Sequence, residues 1–145
     1  MTETGPVVRK RILIVDDDPQ ARNVLRLLLT IDQHTVVEVE NGRQACLTYT
    51  PGDFDLVITD YDMPEMKGDE LARTIKCLSP SQRVIMITGV PWKLGGEDNP
   101  VDAVLIKPVT LAEIRQFISA VLACSRNPGG ASGARFHSRI GLGLM

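Results

Sequence analysis

Apolar residues fall along this chain in two alternating rhythms. Arg11–Asp16 (RILIVD), Asp55–Asp60 (DLVITD) and Arg83–Thr88 (RVIMIT) are short unbroken apolar runs. They read as strands buried on both faces of a parallel sheet, because a strand covered on one face only would alternate apolar with polar. The β-branched run His34–Val39 (HTVVEV) predicts another strand, and Asp102–Ile106 (DAVLI) a short fifth one stopped by Lys107-Pro108. Between the runs the apolar period lengthens to that of a helix. Ala21, Val24, Leu25, Leu28 and Ile31 predict a helix that starts at Pro19, with Asp18 as its N-cap. Asn41 can cap a short helix over Gly42–Tyr49, broken by Pro51-Gly52. Leu71, Ile75 and Leu78 mark a helix over Gly68–Leu78, ended by Pro80. Thr110 can cap a last helix running to Val121, with Leu111, Ile114, Phe117, Ile118, Val121 and Leu122 as its apolar stripe.

Strands alternating with helices predict an α/β fold, a doubly wound parallel sheet with right-handed crossovers. Five strands suit the flavodoxin-like order 2-1-3-4-5. Two regions break the rhythm. Gly89–Pro100 (GVPWKLGGEDNP) stands where a fourth helix belongs, yet it holds two Pro, three Gly and no apolar period, so that helix is expected to be irregular or shortened. Residues 125–145, with five Gly and scattered Arg, are expected to be a disordered tail. The chain thus divides into an extension (1–9), one folded domain (10–124) and the tail.

Composition narrows the functional classes. A chain of 145 residues, 43% apolar and 23% charged, can bury a core and is neither fibrous nor wholly disordered. It has no run of 18 apolar residues, and Met1–Lys10 lacks a signal-peptide core, so a cytoplasmic protein with no membrane insertion is expected. Net charge is −2, but residues 1–124 carry 13 basic and 18 acidic groups, a net of −5. That sign opposes direct nucleic-acid binding, which needs clustered Lys and Arg. Cys46, Cys77 and Cys124 show neither zinc spacing nor a disulfide framework, and are expected to be buried or half-buried thiols.

In an open parallel sheet, ligands bind beyond the carboxyl ends of the strands, where the strand order reverses. Here strand one ends in Asp16-Asp17-Asp18 and strand three in Asp60, with Thr88 closing strand four and Lys107 strand five. Clustered carboxylates repel one another unless a cation neutralises them. Hard oxygen donors without His or Cys favour Mg²⁺, which combines one or two carboxylates with waters and phosphate oxygens. A carboxylate in such a cluster can be a nucleophile toward phosphorus. Lys107 can place a point charge, and Thr88 a hydroxyl, on phosphoryl oxygens.

These segments, ILIVDDDP, DLVITDYDMPEMKG, VIMITG and LIKP, occur in an order and spacing that resemble a response-regulator receiver domain of two-component signalling, over about Lys10 to Ala123. The resemblance implies a non-enzymatic signalling module in which Asp60 accepts a phosphoryl group from a histidine kinase or histidine phosphotransfer protein. It implies that Asp16, Asp17, Asp60 and the backbone carbonyl of Asp62 hold Mg²⁺. It makes Thr88 the hydroxyl switch residue and Lys107 the ion-pairing lysine, with a cis Lys107-Pro108 bond; it does not name the downstream partner. Asp18 reads as a helix cap, Asp53 and Asp55 as solvated loop acids, His34 as a turn residue, and Pro64 and Gly68 as residues that set loop geometry.

Three features depart from the family pattern. Val104 stands where the family carries Tyr or Phe, Gly89 follows Thr88 where Ala is usual, and only 18 residues separate Thr88 from Lys107. A conformational signal is therefore expected to run through Thr88 and Gly89–Pro100. Two other readings fit parts of the sequence. One is a receiver-like interaction module that works without phosphorylation. The other is a Mg²⁺-dependent aspartyl phosphohydrolase with Asp16 as nucleophile and Asp18 as acid.

Overall fold

The structure is a computed structural model that describes residues 8–91, 99–123 and 136–137. Its elements run β1 (Arg11–Val15), α1 (Pro19–Ile31), β2 (Thr35–Val39), α2 (Gly42–Thr48), β3 (Leu56–Asp60), α3 (Gly68–Leu78), β4 (Arg83–Thr88), β5 (Ala103–Ile106), α4 (Leu111–Ala123) and β6 (Phe136–His137). All strands pair in parallel in the order β2-β1-β3-β4-β5-β6. The five expected strands take the expected order. The sheet adds one the sequence reading did not contain: β6, within the segment expected to be a disordered tail, lies beside Ala103 and Val104 of β5. Most of that tail lies outside the described residues, as do residues 92–98 of the segment read as an irregular helix.

Each strand sends alternate residues to opposite faces. Leu13, Val15, Val57, Val84 and Met86 pack with Leu71, Ala72 and Ile75 of α3 and Ala45 of α2 on one face. Ile12, Ile14, Leu56, Ile58, Ile85 and Leu105 pack on the other face with Leu25 and Leu29 of α1 and Ile114, Phe117 and Val121 of α4. Both layers are covered, which is why the strands read as continuous apolar runs.

The helix caps follow the sequence. The Asp18 side chain accepts from the Gln20 amide at 3.0 Å, and that of Asn41 from the Gln44 amide at 2.8 Å. Thr110 and Glu113 cap each other reciprocally. The stripe on α1 is corrected. Leu25 and Leu29 face the core, whereas Val24 and Ile31 are exposed, 51% and 57%. His34 is buried, its Nδ1 accepting from the Lys10 amide, and Asp55 accepts from the Arg11 amide, tying β1 to the start of β3. Cys46 is half-buried as expected, but Cys77 is exposed. The Lys107-Pro108 bond is cis.

Gln33, in the turn after α1, has φ 66, a left-handed backbone that costs a residue with a Cβ about 1–2 kcal/mol. Glycine avoids that cost but gives up about 0.5–1 kcal/mol of backbone entropy. Gln33→Gly is therefore expected to stabilise by about 0.5–1 kcal/mol, read as a higher urea midpoint at unchanged slope.

Candidate functional site

β1 and β3 are adjacent and in register, Val15 opposite Thr59, so the residues that leave their carboxyl ends emerge side by side. Asp16 is the first residue past β1 and Asp60 the last of β3; both are buried, 5% and 7% exposed. Lys107 follows β5. Its amide donates to the Thr88 carbonyl at 2.9 Å, which fixes where its side chain starts. The ammonium then spans β4 and reaches Asp60 Oδ1 at 3.3 Å and Asp16 Oδ2 at 3.4 Å. One cation thus serves two buried carboxylates. Asp17 is exposed, and it brings a carboxylate oxygen within 4.8 Å of those of Asp16 and Asp60.

The electrostatics follow from that count. Burial, and then the charge of Asp16, push the Asp60 carboxyl up to about 6, against the opposing pull of Lys107. For Lys107, burial works to lower the ammonium, but the carboxylates of Asp60 and Asp16 outweigh it and hold the group above its ordinary value. The cluster carries more negative charge than its lysine neutralises. Three hard oxygen donors that converge with excess charge fit a divalent ion of the Mg²⁺ type and do not fit a soft metal.

Around this centre the backbone is tightly built. Asp16 Oδ1 accepts from the Asp18 amide at 2.9 Å. Arg22 of α1 donates to the Asp16 carbonyl at 2.8 Å and pairs with Glu38 at 3.4 Å, a clamp on the β1–α1 turn that the sequence reading did not single out. An Arg one turn inside a helix that opens on an acidic loop was the available signal. Gly68 starts α3 against the loop that leaves Asp60. Its amide donates to the Tyr61 carbonyl at 2.8 Å, and a Cβ there would lie 2.2 Å from the Asp60 carbonyl oxygen. Met63 packs in the core beneath that loop, 1% exposed.

Thr88 is fully buried at the end of β4, beside Ile106 of β5, and its hydroxyl accepts from the Val90 amide at 3.0 Å. The Asp62 side chain pairs with Lys67, a residue not singled out from the sequence, at 2.6 Å. Val104 is buried and paired with Met86 of β4, with no ring to rotate. Asp16, Asp17, Asp60 and Lys107 therefore meet, Thr88 lies one strand away, and Asp62 is engaged at the rim.

Comparison with known proteins shows the family and the fold. Residues 12–119 match the family described as response regulator receiver domain. The chain is 35% identical over 116 residues to the response regulator receiver protein CpdR of Brucella abortus, covering 78% of this chain and 97% of that protein. It is 34% identical over 113 residues to the transcriptional regulatory protein TcrA of Mycobacterium tuberculosis, of which the match spans only 45%. Among solved structures, the response regulator TrrA from Thermotoga maritima in complex with Mg²⁺ and BeF superposes with a TM-score of 0.73 at 29% identity, covering 78% of this chain and 99% of that one.

Proposed function

The chain belongs to the response regulator receiver domain family, and on that premise we propose that it is a phosphorylation switch whose acceptor is Asp60. Receivers are signalling modules that take their signal from histidine kinases or phosphotransfer proteins. The observation that carries the proposal is the shared lysine: Lys107 holds the buried Asp60 and Asp16 together at 3.3 and 3.4 Å, beside exposed Asp17.

In this reading an oxygen of the Asp60 carboxylate attacks the donor phosphorus in line. The bond from phosphorus to the donor atom breaks, its electron pair leaves with the donor, and an aspartyl phosphate remains. Lys107, already on Asp60 Oδ1, stays beside the charge as it moves onto the phosphoryl oxygens. Thr88 exchanges its contact with the Val90 amide for one as donor to a phosphoryl oxygen. Asp16, Asp17, Asp60 and the Asp62 carbonyl would hold Mg²⁺, which supplies charge neutralisation when bound. Val24, Leu27 and Ile31 form an exposed apolar line, 51%, 49% and 57%, that runs along α1 away from the site, with Val24 at the site's edge, which supports a protein as donor. Among the described residues no helix is long and apolar enough to cross a membrane.

The phosphohydrolase reading has less support, because the acid it requires is engaged elsewhere. Asp18 is committed to capping α1 through Gln20, and its amide is committed to Asp16. Incubation with Mg²⁺ and a small phosphodonor such as acetyl phosphate, followed by intact mass and peptide mapping, tests the proposal. One added phosphoryl group at Asp60 is expected; none, or one elsewhere, overturns it.

Two adjacent acids should separate cleanly. Asp17→Asn is expected to weaken Mg²⁺ binding at least tenfold with little loss of stability, because its side chain is exposed. Asp18→Ala should do the reverse, costing about 0.5–2 kcal/mol through the lost cap while Mg²⁺ titrations stay unchanged. At the rim, Lys67→Ala removes the 2.6 Å ion pair to the Asp62 carboxylate. Loss of that ion pair is expected to alter the dephosphorylation rate by several-fold, and Asp62→Ala should cancel that change.

A further inference from the structure

The phosphoryl chemistry uses only one end of a larger cleft. From the acceptor site a recess of about 390 Å³ runs between α1 and the turn after β5. Its far walls are apolar: Ala21 and Leu25 of α1, Ile58 and Ile87 of the sheet, and Pro108 and Val109 beyond Lys107. Its near end is Asp16, Asp60 and Lys107. Neither a phosphoryl group nor a hydrated divalent ion gains anything from the apolar walls. Their size and lining, mostly apolar with a few convergent polar groups, match those of small-molecule sites. The reason for the recess is local. Ala21 carries a single methyl where α1 passes the turn, and Val24 beside it is turned half to solvent instead of closing the gap.

We propose that this recess binds a small amphipathic cation, an ammonium or amidinium group on a compact apolar body, which enters the acceptor site head first. The head is cationic because the polar end holds two buried carboxylates against one lysine, with Asp17 close by. An anionic head would meet three carboxylates, and a neutral one would leave their excess charge unanswered. The apolar body lies along Ala21, Leu25 and Val109, out of water. Head and divalent ion then claim the same oxygens, so ligand and metal exclude each other. That competition rests on the acceptor-site reading, whereas binding of the cation does not.

The test uses the full chain with benzamidine as probe, and benzoate and benzyl alcohol as its anionic and neutral counterparts, followed by calorimetry and amide and methyl NMR. Benzamidine is expected to bind saturably, shifting signals of Ala21, Leu25 and Val109, at least fivefold more tightly than either counterpart. Saturating Mg²⁺ should weaken it several-fold. Ala21→Leu, which fills the recess, and Val24→Gln, which makes its rim polar, should each reduce benzamidine affinity about tenfold or more while Mg²⁺ affinity stays unchanged. Equal binding of the three probes, affinity indifferent to Ala21→Leu, or no saturation would overturn the proposal. Mg²⁺ binding and phosphoryl uptake at Asp60 are measured without benzamidine, so failure of the acceptor reading would appear there, separately.

Discussion

Asp60→Asn is expected to abolish phosphoryl uptake and at the same time to make the protein more stable at neutral pH. The first effect follows from chemistry. An amide is nearly isosteric with the carboxylate but has no anionic oxygen to attack phosphorus. The second follows from charge. In the native protein the buried carboxylates of Asp60 and Asp16 share Lys107, and burial together with Asp16 raises the Asp60 carboxyl to about 6. A carboxyl whose folded value lies above its unfolded value of about 3.9 binds more protons folded than unfolded between those two points. Its contribution is therefore most favourable below about pH 4, declines as pH rises to about 6 and stays unfavourable above. Asn removes that decline and leaves Lys107 in a one-to-one pair with Asp16. Denaturant melts of the metal-free protein at pH 4, 5, 6 and 7 check this. The variant should gain most at pH 7 and least at pH 4, while mass spectrometry shows no added phosphoryl group. A variant that still takes up phosphate at the native rate removes Asp60 from its role.

Gly68→Ala is expected to damage fold and site together. Cα of Gly68 sits so close to the loop leaving β3 that a methyl group there would lie 2.2 Å from the Asp60 carbonyl oxygen and 2.9 Å from the Tyr61 Cα. Both neighbours are backbone and neither has a rotamer to change. Overpacking of a buried site usually costs about 1–3 kcal/mol, and this contact belongs at or above the top of that range. Relief would require α3 to move off the loop, breaking the Gly68 amide to Tyr61 carbonyl bond and shifting Asp60 itself. Mg²⁺ affinity should therefore fall along with the urea midpoint. Gly89→Ala is the contrast. An added Cβ there meets nothing within 4 Å, and Gly89 is not among the residues of positive φ. It should be neutral or gain about 0.4–1 kcal/mol through reduced unfolded-state entropy. Equal losses in the two variants would show that glycine flexibility, and not the close approach at residue 68, is what matters.

Much of this protein is written in local pattern. Strand runs, helix caps at Asp18, Asn41 and Thr110, and the chemistry at the strand ends all depend on neighbours a few residues apart, so the sequence alone places them. Because parallel strands end at one edge, it also foretells that Asp16, Asp60 and Lys107 come together. What it leaves undecided is phase, distance and charge balance. From Val24 to Ile31, α1 has apolar residues at six of eight positions, so periodicity permits more than one buried face. Packing on Ile12, Ile14 and Ile58 selects Leu25 and Leu29, and leaves Val24, Leu27 and Ile31 in solvent. Only the folded chain brings Lys107 to both carboxylates, Lys67 to Asp62 and Arg22 to the Asp16 carbonyl. The apolar recess beside the acceptor likewise comes from elements distant in sequence. These features arise between elements, where sheet register and helix docking set distances that no run of neighbouring residues encodes.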